Sequence, residues 1–174
     1  MTKISHATER LNSLMNEYQG IDHILQCIVS LNESGKLDEL SSTYLEQKSG
    51  WSYSKVREVL IILECFGILD IKRGKYTQLT SSLNNFSVSE QDVIKIVKSH
   101  ILSDEATVSF IGYLADEYHV GEKIEGERFL KDEVHIGREK IREIFLRLEC
   151  AGFVFREKKK KRVLLRSLDE LVSN

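Results

Sequence analysis

The sequence predicts a mainly α-helical protein with short β-hairpins, of the α+β class, built as two tandem units of 1–86 and 87–174. Two observations lead to this prediction. The segment KVREVLIILECFG at 55–67 recurs 85 residues later as KIREIFLRLECAG at 140–152, with seven of thirteen positions identical. Each copy is followed by two short apolar runs separated by a charged turn, which is typical of a β-hairpin.

The repeated segment itself predicts an amphipathic helix that ends at a glycine. Four apolar residues in each copy follow the helical spacing i, i+3, i+4, i+7. They are Val56, Val59, Leu60 and Leu63 in the first copy, and Ile141, Ile144, Phe145 and Leu148 in the second. Gly67 and Gly152 follow, and glycine supplies the left-handed conformation that commonly ends a helix.

The same offset of 85 residues places the other elements of each unit. Two helices are expected before each repeated segment, at 7–18 and 20–32 and then at 90–102 and 105–117. Ser89 is expected to cap the third of these helices, at 90–102. A short helix then precedes each copy, with Leu45 and Leu130 in equivalent positions. The hairpins are expected at 68–80, turning near Arg73-Gly74, and at 153–166, and 81–85 reads as the linker.

Composition excludes several classes of protein. The net charge of −2 is close to neutral, and an apolar fraction of 41% is enough to build folded cores. The three cysteines are far apart and form no CxxC pair, which argues against a disulfide scaffold or a zinc module. The longest apolar run, 59–63, is too short to cross a bilayer, and no signal peptide is evident. We therefore expect a cytoplasmic protein with no membrane partner.

No motif in the sequence indicates catalysis. Phosphate loops, GxSxG elbows, HExxH and GxGxxG patterns are all missing. The five histidines do not follow a metal-binding spacing, and adjacent carboxylates such as Asp104-Glu105 are common on solvated helix ends. We therefore expect no catalytic residue, no metal and no cofactor. An enzyme with an unrecognised site stays as a remote alternative.

The order helix, helix, short helix, helix, hairpin resembles the winged-helix family, in which a hairpin wing closes a helix-turn-helix. The resemblance is carried by LEQKSGWS at 45–52, LECFGIL at 63–69 and GKYTQLT at 74–80. It implies a third helix, here the repeated segment, that often enters the major groove of DNA and a wing that touches the backbone. Winged helices bind DNA, RNA and proteins alike, so the resemblance predicts fold better than function.

Charge is segregated along the second unit. The stretch 104–133 holds nine acids and three bases (net −6), whereas 138–166 holds eleven bases and four acids (net +7). A basic wing is well suited to lie along phosphates, although a charged turn also protects a hairpin from aggregation. The expected DNA-backbone contacts are Lys158, Lys159, Lys160, Lys161 and Arg162, with Lys72, Arg73 and Lys75 as a weaker set in the first wing. Basic residues flanking the third helices are Lys55, Arg57, Arg138, Lys140 and Arg142.

The face of each third helix opposite its apolar stripe is acidic and apolar, whereas a helix that reads bases usually presents basic or amide side chains. We therefore expect this face to contact a protein, which would be a foreign partner, a second copy of the chain, or the other half of the same chain. The expected interface residues are Glu58, Ile61, Ile62, Cys65, Leu146 and Cys150.

The two-unit layout and small size also resemble the kleisin-interacting tandem winged-helix elements of SMC complexes and related bacterial DNA-defence systems. That resemblance implies a dimer that grips a partner polypeptide and touches DNA secondarily. The sequence thus predicts a non-catalytic, DNA-associated adaptor within a larger DNA-processing complex. The alternative is a transcriptional regulator that reads an operator through third-helix residues, either Ser52, Tyr53, Ser54, Lys55 and Arg57 or Arg138, Lys140 and Arg142.

Overall fold

The structure, a computed structural model, describes residues 6–80, 88–157 and 159–173, which divide into two compact units, Met1–Asp92 and Val93–Asn174. The division lies six residues beyond the predicted boundary at 86. The expected linker at 81–85 lies outside the described residues. Residues 88–92 fall in the first unit, where Arg10 makes two hydrogen bonds to the carboxylate of Glu90, at 2.8 and 3.0 Å.

The first unit packs its helices around α4. Its elements are α1 (His6–Asn16), α2 (Ile21–Glu33), a 3-10 helix (Leu37–Glu39), α3 (Ser42–Ser49), α4 (Tyr53–Cys65), β1 (Leu69–Lys72) and β2 (Lys75–Leu79). Every residue of α4 from Val59 to Cys65 is buried, and α1, α3 and β1 all pack on this helix. A helix that is apolar on several faces requires burial on several faces, and α4 is buried in this way.

The second unit has the same order of helices and hairpin, followed by one additional helix. Its elements are α5 (Glu90–Leu102), which begins just before the division, α6 (Glu105–Glu117), α7 (Glu127–Val134), α8 (Arg138–Cys150), β3 (Val154–Arg156), β4 (Arg162–Leu164) and α9 (Asp169–Val172). The core includes Phe110 and Phe145, whose rings meet edge to face at 5.7 Å. The predicted class, mainly helical with two small antiparallel hairpins, is confirmed over the described residues.

Helices α4 and α8, which correspond to the repeated segment and are the third helices named above, both end as the sequence predicts. Gly67 has φ of 72° and Gly152 has φ of 79°, the left-handed region that favours glycine. The following N–H groups turn back onto the helix, with Ile68 donating to the carbonyl of Leu63 and Phe153 donating to that of Leu148, each at 2.9 Å. This is the Schellman arrangement, which satisfies carbonyls that a helix end otherwise leaves unpaired.

The first hairpin turns at Arg73-Gly74, as predicted. Both residues have positive φ, 51° and 78°, and this pair of conformations matches the twist of the two strands. Ser89 also caps α5 as expected, because its hydroxyl accepts a hydrogen bond from the N–H of Asp92 at 3.2 Å.

The second hairpin gains a third extended segment that the sequence did not predict. Gly121 donates to the carbonyl of Leu164 at 2.7 Å, Leu164 donates to that of Glu122 at 3.0 Å, and Ile124 donates to that of Arg162 at 2.8 Å. The segment HVGEKI is mostly polar and does not alternate, so it carries no strand signal. The fold therefore pairs β4 on both of its edges.

The short helix α9 was also missed. It has only four residues, Asp169–Val172, too few to show a periodic pattern. It nevertheless packs on α6, and both Leu171 within it and Leu168 just before it are buried.

Candidate nucleic-acid interface

A concave, strongly basic pocket lies within the second unit. It has a volume of about 500 Å³ and is formed by the segments that open α7 and α8 together with the second hairpin. We call it the basic pocket. Its charged lining residues are Arg128, Arg138, Arg142, Arg156, Lys159, Lys160, Lys161 and Arg162, with Glu125 and Glu127. Eight bases and two acids give the lining a formal charge of +6.

Arg162, at the start of β4, fixes the hairpin to the helices. Its guanidinium donates to Glu127 on α7 and to Glu149 on α8, both at 3.1 Å, and lies 4.4 Å from the centre of the Phe145 ring. The side chain is only 8% exposed. Arg162 was predicted to contact phosphate; two carboxylates and an aromatic ring hold its charge inside, and its contact with phosphate stays a prediction.

Glu127 binds a second arginine, Arg142, in addition to Arg162. Its other carboxylate oxygen accepts a hydrogen bond from Arg142 at 3.1 Å. Burial alone would raise the pKa of Glu127, but the hydrogen bonds from Arg142 and Arg162 outweigh it, so the pKa lies below the ordinary value. Glu127 is therefore charged at neutral pH. We call Glu127, Arg142, Glu149 and Arg162 the wing anchor.

Three further bases singled out in the sequence, two from the predicted DNA-contacting set and one flanking α8, are paired with acids of the same unit. Lys140 contacts Asp104 at 2.5 Å, Lys160 contacts Glu157 at 2.6 Å, and Lys161 contacts Glu125 at 2.9 Å. Each of these pairs is exposed, so each contributes little stability and can exchange for another anion. The charges that are segregated along the sequence are thus partly interleaved in space.

Asp104 shows the strongest electrostatic effect among these pairs. Hydrogen bonds from Lys140 and from the side chain of Thr107 lower the pKa of Asp104 to about 2. The same carboxylate caps α6 by accepting from the N–H of Thr107 at 3.2 Å. Lys140 therefore has a structural partner, although it was predicted only as a helix-flanking base.

Four cations of the basic pocket have no carboxylate partner among residues 6–80, 88–157 and 159–173. Arg128, Arg138 and Lys159 are exposed and make no ion pair there, and Arg156 donates its Nε to the backbone carbonyl of Lys160 at 3.2 Å. We call these four the unpaired cations. Lys158, also predicted to contact DNA, lies outside the described residues.

Sequence reasoning missed two of the unpaired cations. Arg128 lies within the acidic stretch 104–133, whose net charge of −6 gave no sign of a basic site. Arg156 lies just before the lysine run and belongs to β3. Helical and strand placement together, rather than local charge density, bring these residues to one pocket.

The first hairpin keeps its predicted bases at the surface. Lys72, Arg73 and Lys75 are exposed, and no ion pair involves them within the described part of the chain. The helix-flanking bases of this unit are more constrained. Lys55 lies 3.9 Å from the centre of the Trp51 ring, and Arg57 is half-buried. The first hairpin therefore carries a second, smaller basic surface.

The predicted partner interface is not on the outside of the protein. Ile61, Ile62, Cys65 and Cys150 are fully buried and Leu146 is 9% exposed. Glu58 is half-buried and accepts a hydrogen bond from the hydroxyl of Tyr18 at 2.9 Å. In the first unit α1 packs on α4. The α4 face that was expected to point outward is therefore buried inside the unit. Contact with a partner protein stays a prediction.

Comparison with known proteins adds no relative to this picture. No family model, no curated protein and no solved structure matches the chain. Within the described segments, no helix combines the length and apolar character needed to cross a bilayer. The same segments contain no cluster of three or more His, Cys, Asp or Glu side chains that could hold a metal ion.

Proposed function

We propose that this protein is a non-catalytic, nucleic-acid-associated adaptor with two winged-helix units, and that its basic pocket and first wing contact backbone phosphates. One observation carries the proposal. Eight basic side chains from α7, α8 and the second hairpin line one concave surface with two acids, and the four unpaired cations among them have no carboxylate partner within the described residues. Phosphate contacts of this kind position a protein on nucleic acid without reading its sequence.

The arrangement of elements supports the winged-helix assignment. α3 (Ser42–Ser49) and α7 (Glu127–Val134) are related by 85 residues at both ends, as are α4 and α8. In each unit the third helix runs through a glycine into a hairpin, and the segment at 121–124 adds the extra extended pairing next to the wing. In such a fold the start of the third helix and the wing lie on the side where DNA binds.

The placement of charge favours backbone contact over base reading. Arg138, at the start of α8, is free of ion pairs in the described structure, whereas Lys140 and Arg142 are held by carboxylates. The alternative, a sequence-reading regulator, rests on the first unit. There Tyr53 is 51% exposed at the start of α4 and could reach base edges.

The resemblance to kleisin-interacting elements makes a larger DNA-processing assembly the proposed setting. In that setting the chain would bind a protein partner or a second copy of itself. Because the outer faces of the third helices are largely buried, the partner would bind elsewhere on the surface. Sedimentation of the purified chain, alone and in the presence of DNA, would show whether it self-associates.

The test uses fluorescence anisotropy with a 5′-hydroxyl DNA duplex of arbitrary sequence at several salt concentrations. The pocket variant is Arg128→Gln, Arg138→Gln and Lys159→Gln. The control variant is Lys36→Gln, Lys95→Gln and Lys131→Gln, which removes the same charge from exposed positions outside the pocket. If these three residues contact three phosphates, the plot of log K against log salt concentration is steeper for wild type than for the pocket variant. The expected difference in slope is about 2.7, at roughly 0.9 per contact.

Two results would contradict the proposal. Wild type that fails to bind duplex at low salt would show that the basic surface serves another purpose. Equal losses in the pocket and control variants would show that only the net charge of the chain matters. Preference for one defined sequence would instead support the regulator.

A further inference from the structure

We infer that the basic pocket is a site for a compact oligophosphate group, that is, several directly linked phosphates. This inference rests on the proposed phosphate-binding role of the same pocket and narrows its ligand. The chemistry is shared by a free nucleoside triphosphate and by the 5′-triphosphate end of a nucleic-acid strand.

The size of the basic pocket argues for a small group. A sphere of 500 Å³ is about 10 Å across. This volume falls in the roughly 300–1,000 Å³ range of small-molecule sites. A duplex is too large to enter it and can only present backbone phosphates at its opening. The interior suits a ligand the size of a few linked phosphates.

The charge of the basic pocket argues for a concentrated anion. Four unpaired cations, Arg128, Arg138, Arg156 and Lys159, come from α7, α8, β3 and the hairpin turn and line the same cavity. The two acids of the lining cannot compensate them because Glu127 and Glu125 already hold other bases. Like charges that line one cavity repel one another, and an anion bound between them removes that repulsion. Linked phosphates supply several negative charges within a small volume.

The side chains of the unpaired cations suit phosphate oxygens, and the wing anchor holds the hairpin that carries two of them in place. Three of the four unpaired cations are arginines, whose planar guanidinium groups bind phosphate oxygens through paired hydrogen bonds. The wing anchor fixes β4 to α7 and α8 independently of any ligand, because Arg162 is held by Glu127 and Glu149. The hairpin side of the pocket is thus preorganised, which lowers the cost of ordering on binding.

The first experiment is isothermal titration of the full chain with inorganic tripolyphosphate at constant ionic strength. We expect saturable one-to-one binding, with orthophosphate at least tenfold weaker. The single variant Arg138→Gln should weaken tripolyphosphate binding about tenfold, as expected for one charge-assisted contact. The pocket variant should abolish binding, whereas the control variant should bind like wild type. Thermal unfolding of each variant would confirm that the fold is retained.

The second experiment distinguishes the two sources of the ligand. It compares a nucleoside triphosphate with a 5′-triphosphate strand and a 5′-hydroxyl strand of the same sequence. Tighter binding of the 5′-triphosphate strand than of the other two would assign the site to strand ends. Equal binding of the nucleoside triphosphate and the 5′-triphosphate strand would assign it to a free oligophosphate. Either result supports the inference.

The outcomes separate this inference from the proposed function. If tripolyphosphate fails to bind, or binds no better than orthophosphate, while the 5′-hydroxyl duplex still binds, the oligophosphate site is overturned and backbone binding stands. If tripolyphosphate binds but the duplex does not, the oligophosphate site stands and backbone binding fails. If neither ligand binds, both are overturned.

Discussion

The wing anchor yields a sharp prediction about stability. Glu127→Gln keeps the size of the side chain but removes the charge that faces Arg142 and Arg162. Glu127 is 11% exposed and Arg162 is 8% exposed, so water cannot replace the lost partner efficiently. We therefore expect a substantial loss of stability in the second unit.

The magnitude follows from the partners that remain. Removing one member of a buried ion pair costs about 3–5 kcal/mol. Arg162 keeps Glu149 and the Phe145 ring, and Arg142 is partly exposed, so the lower end of about 3 kcal/mol is expected. The matched control is Glu157→Gln, which breaks an exposed pair with Lys160 and should cost less than about 1 kcal/mol.

The assay is urea unfolding followed by far-UV circular dichroism, with the free energy of unfolding compared among the variants. Arg162→Met is then combined with Glu127→Gln in a double-mutant cycle. Because both changes break the same contact, the double variant should lose about 1–3 kcal/mol less than the sum of the single variants. A cost for Glu127→Gln as small as that of the control would refute the reasoning. Additive losses in the cycle would refute the direct coupling of Glu127 and Arg162.

Three further predictions concern other parts of the fold. Because the pKa of Asp104 is lowered from 3.8 to about 2, the unfolded state takes up a proton first as the pH falls. The stabilisation by this carboxylate is therefore complete above about pH 4 and is lost towards pH 2, and Asp104→Asn should reduce the dependence of urea unfolding on pH in that window. Gly67→Ala should destabilise by about 1–2 kcal/mol because its φ is 72°, whereas Gly112→Ala, inside α6 with open space around it, should stabilise by up to about 1 kcal/mol in the same urea assay. A thiol reagent should modify only Cys27 quickly in the native protein, since the other two cysteines are buried, and fast modification of all three would contradict their burial.

The sequence was sufficient for elements whose signals are local. The apolar spacing from Val56 to Leu63, the glycine at 67 and the Arg73-Gly74 turn each act within a few residues, so helix α4, its end and the first hairpin could be predicted. The segment at 121–124 could not, because its pairing depends on β4, some forty residues away.

Whether a basic side chain is paired with a carboxylate or exposed also depends on residues that are distant in the sequence. In the sequence Arg162 looks like the last member of a uniform basic run. The fold turns it towards Glu127, 35 residues earlier, and Glu149, 13 residues earlier, whereas Lys159 in the same run stays exposed. Burial of Ile61 likewise depends on tertiary packing and not on the helix itself. Charge density alone therefore overstated the number of bases available to a ligand.

The second hairpin is held where β4 begins and is open at its tip, the turn between the two strands. Arg162, the first residue of β4, is buried against carboxylates of α7 and α8, whereas Lys159 and Lys160 in the turn are exposed. Substitutions at the tip can therefore change what the hairpin recognises with little effect on folding, whereas a substitution at Arg162 cannot. The tip is accordingly the place where related or engineered chains can acquire new specificity, and an inserted loop is best tolerated there.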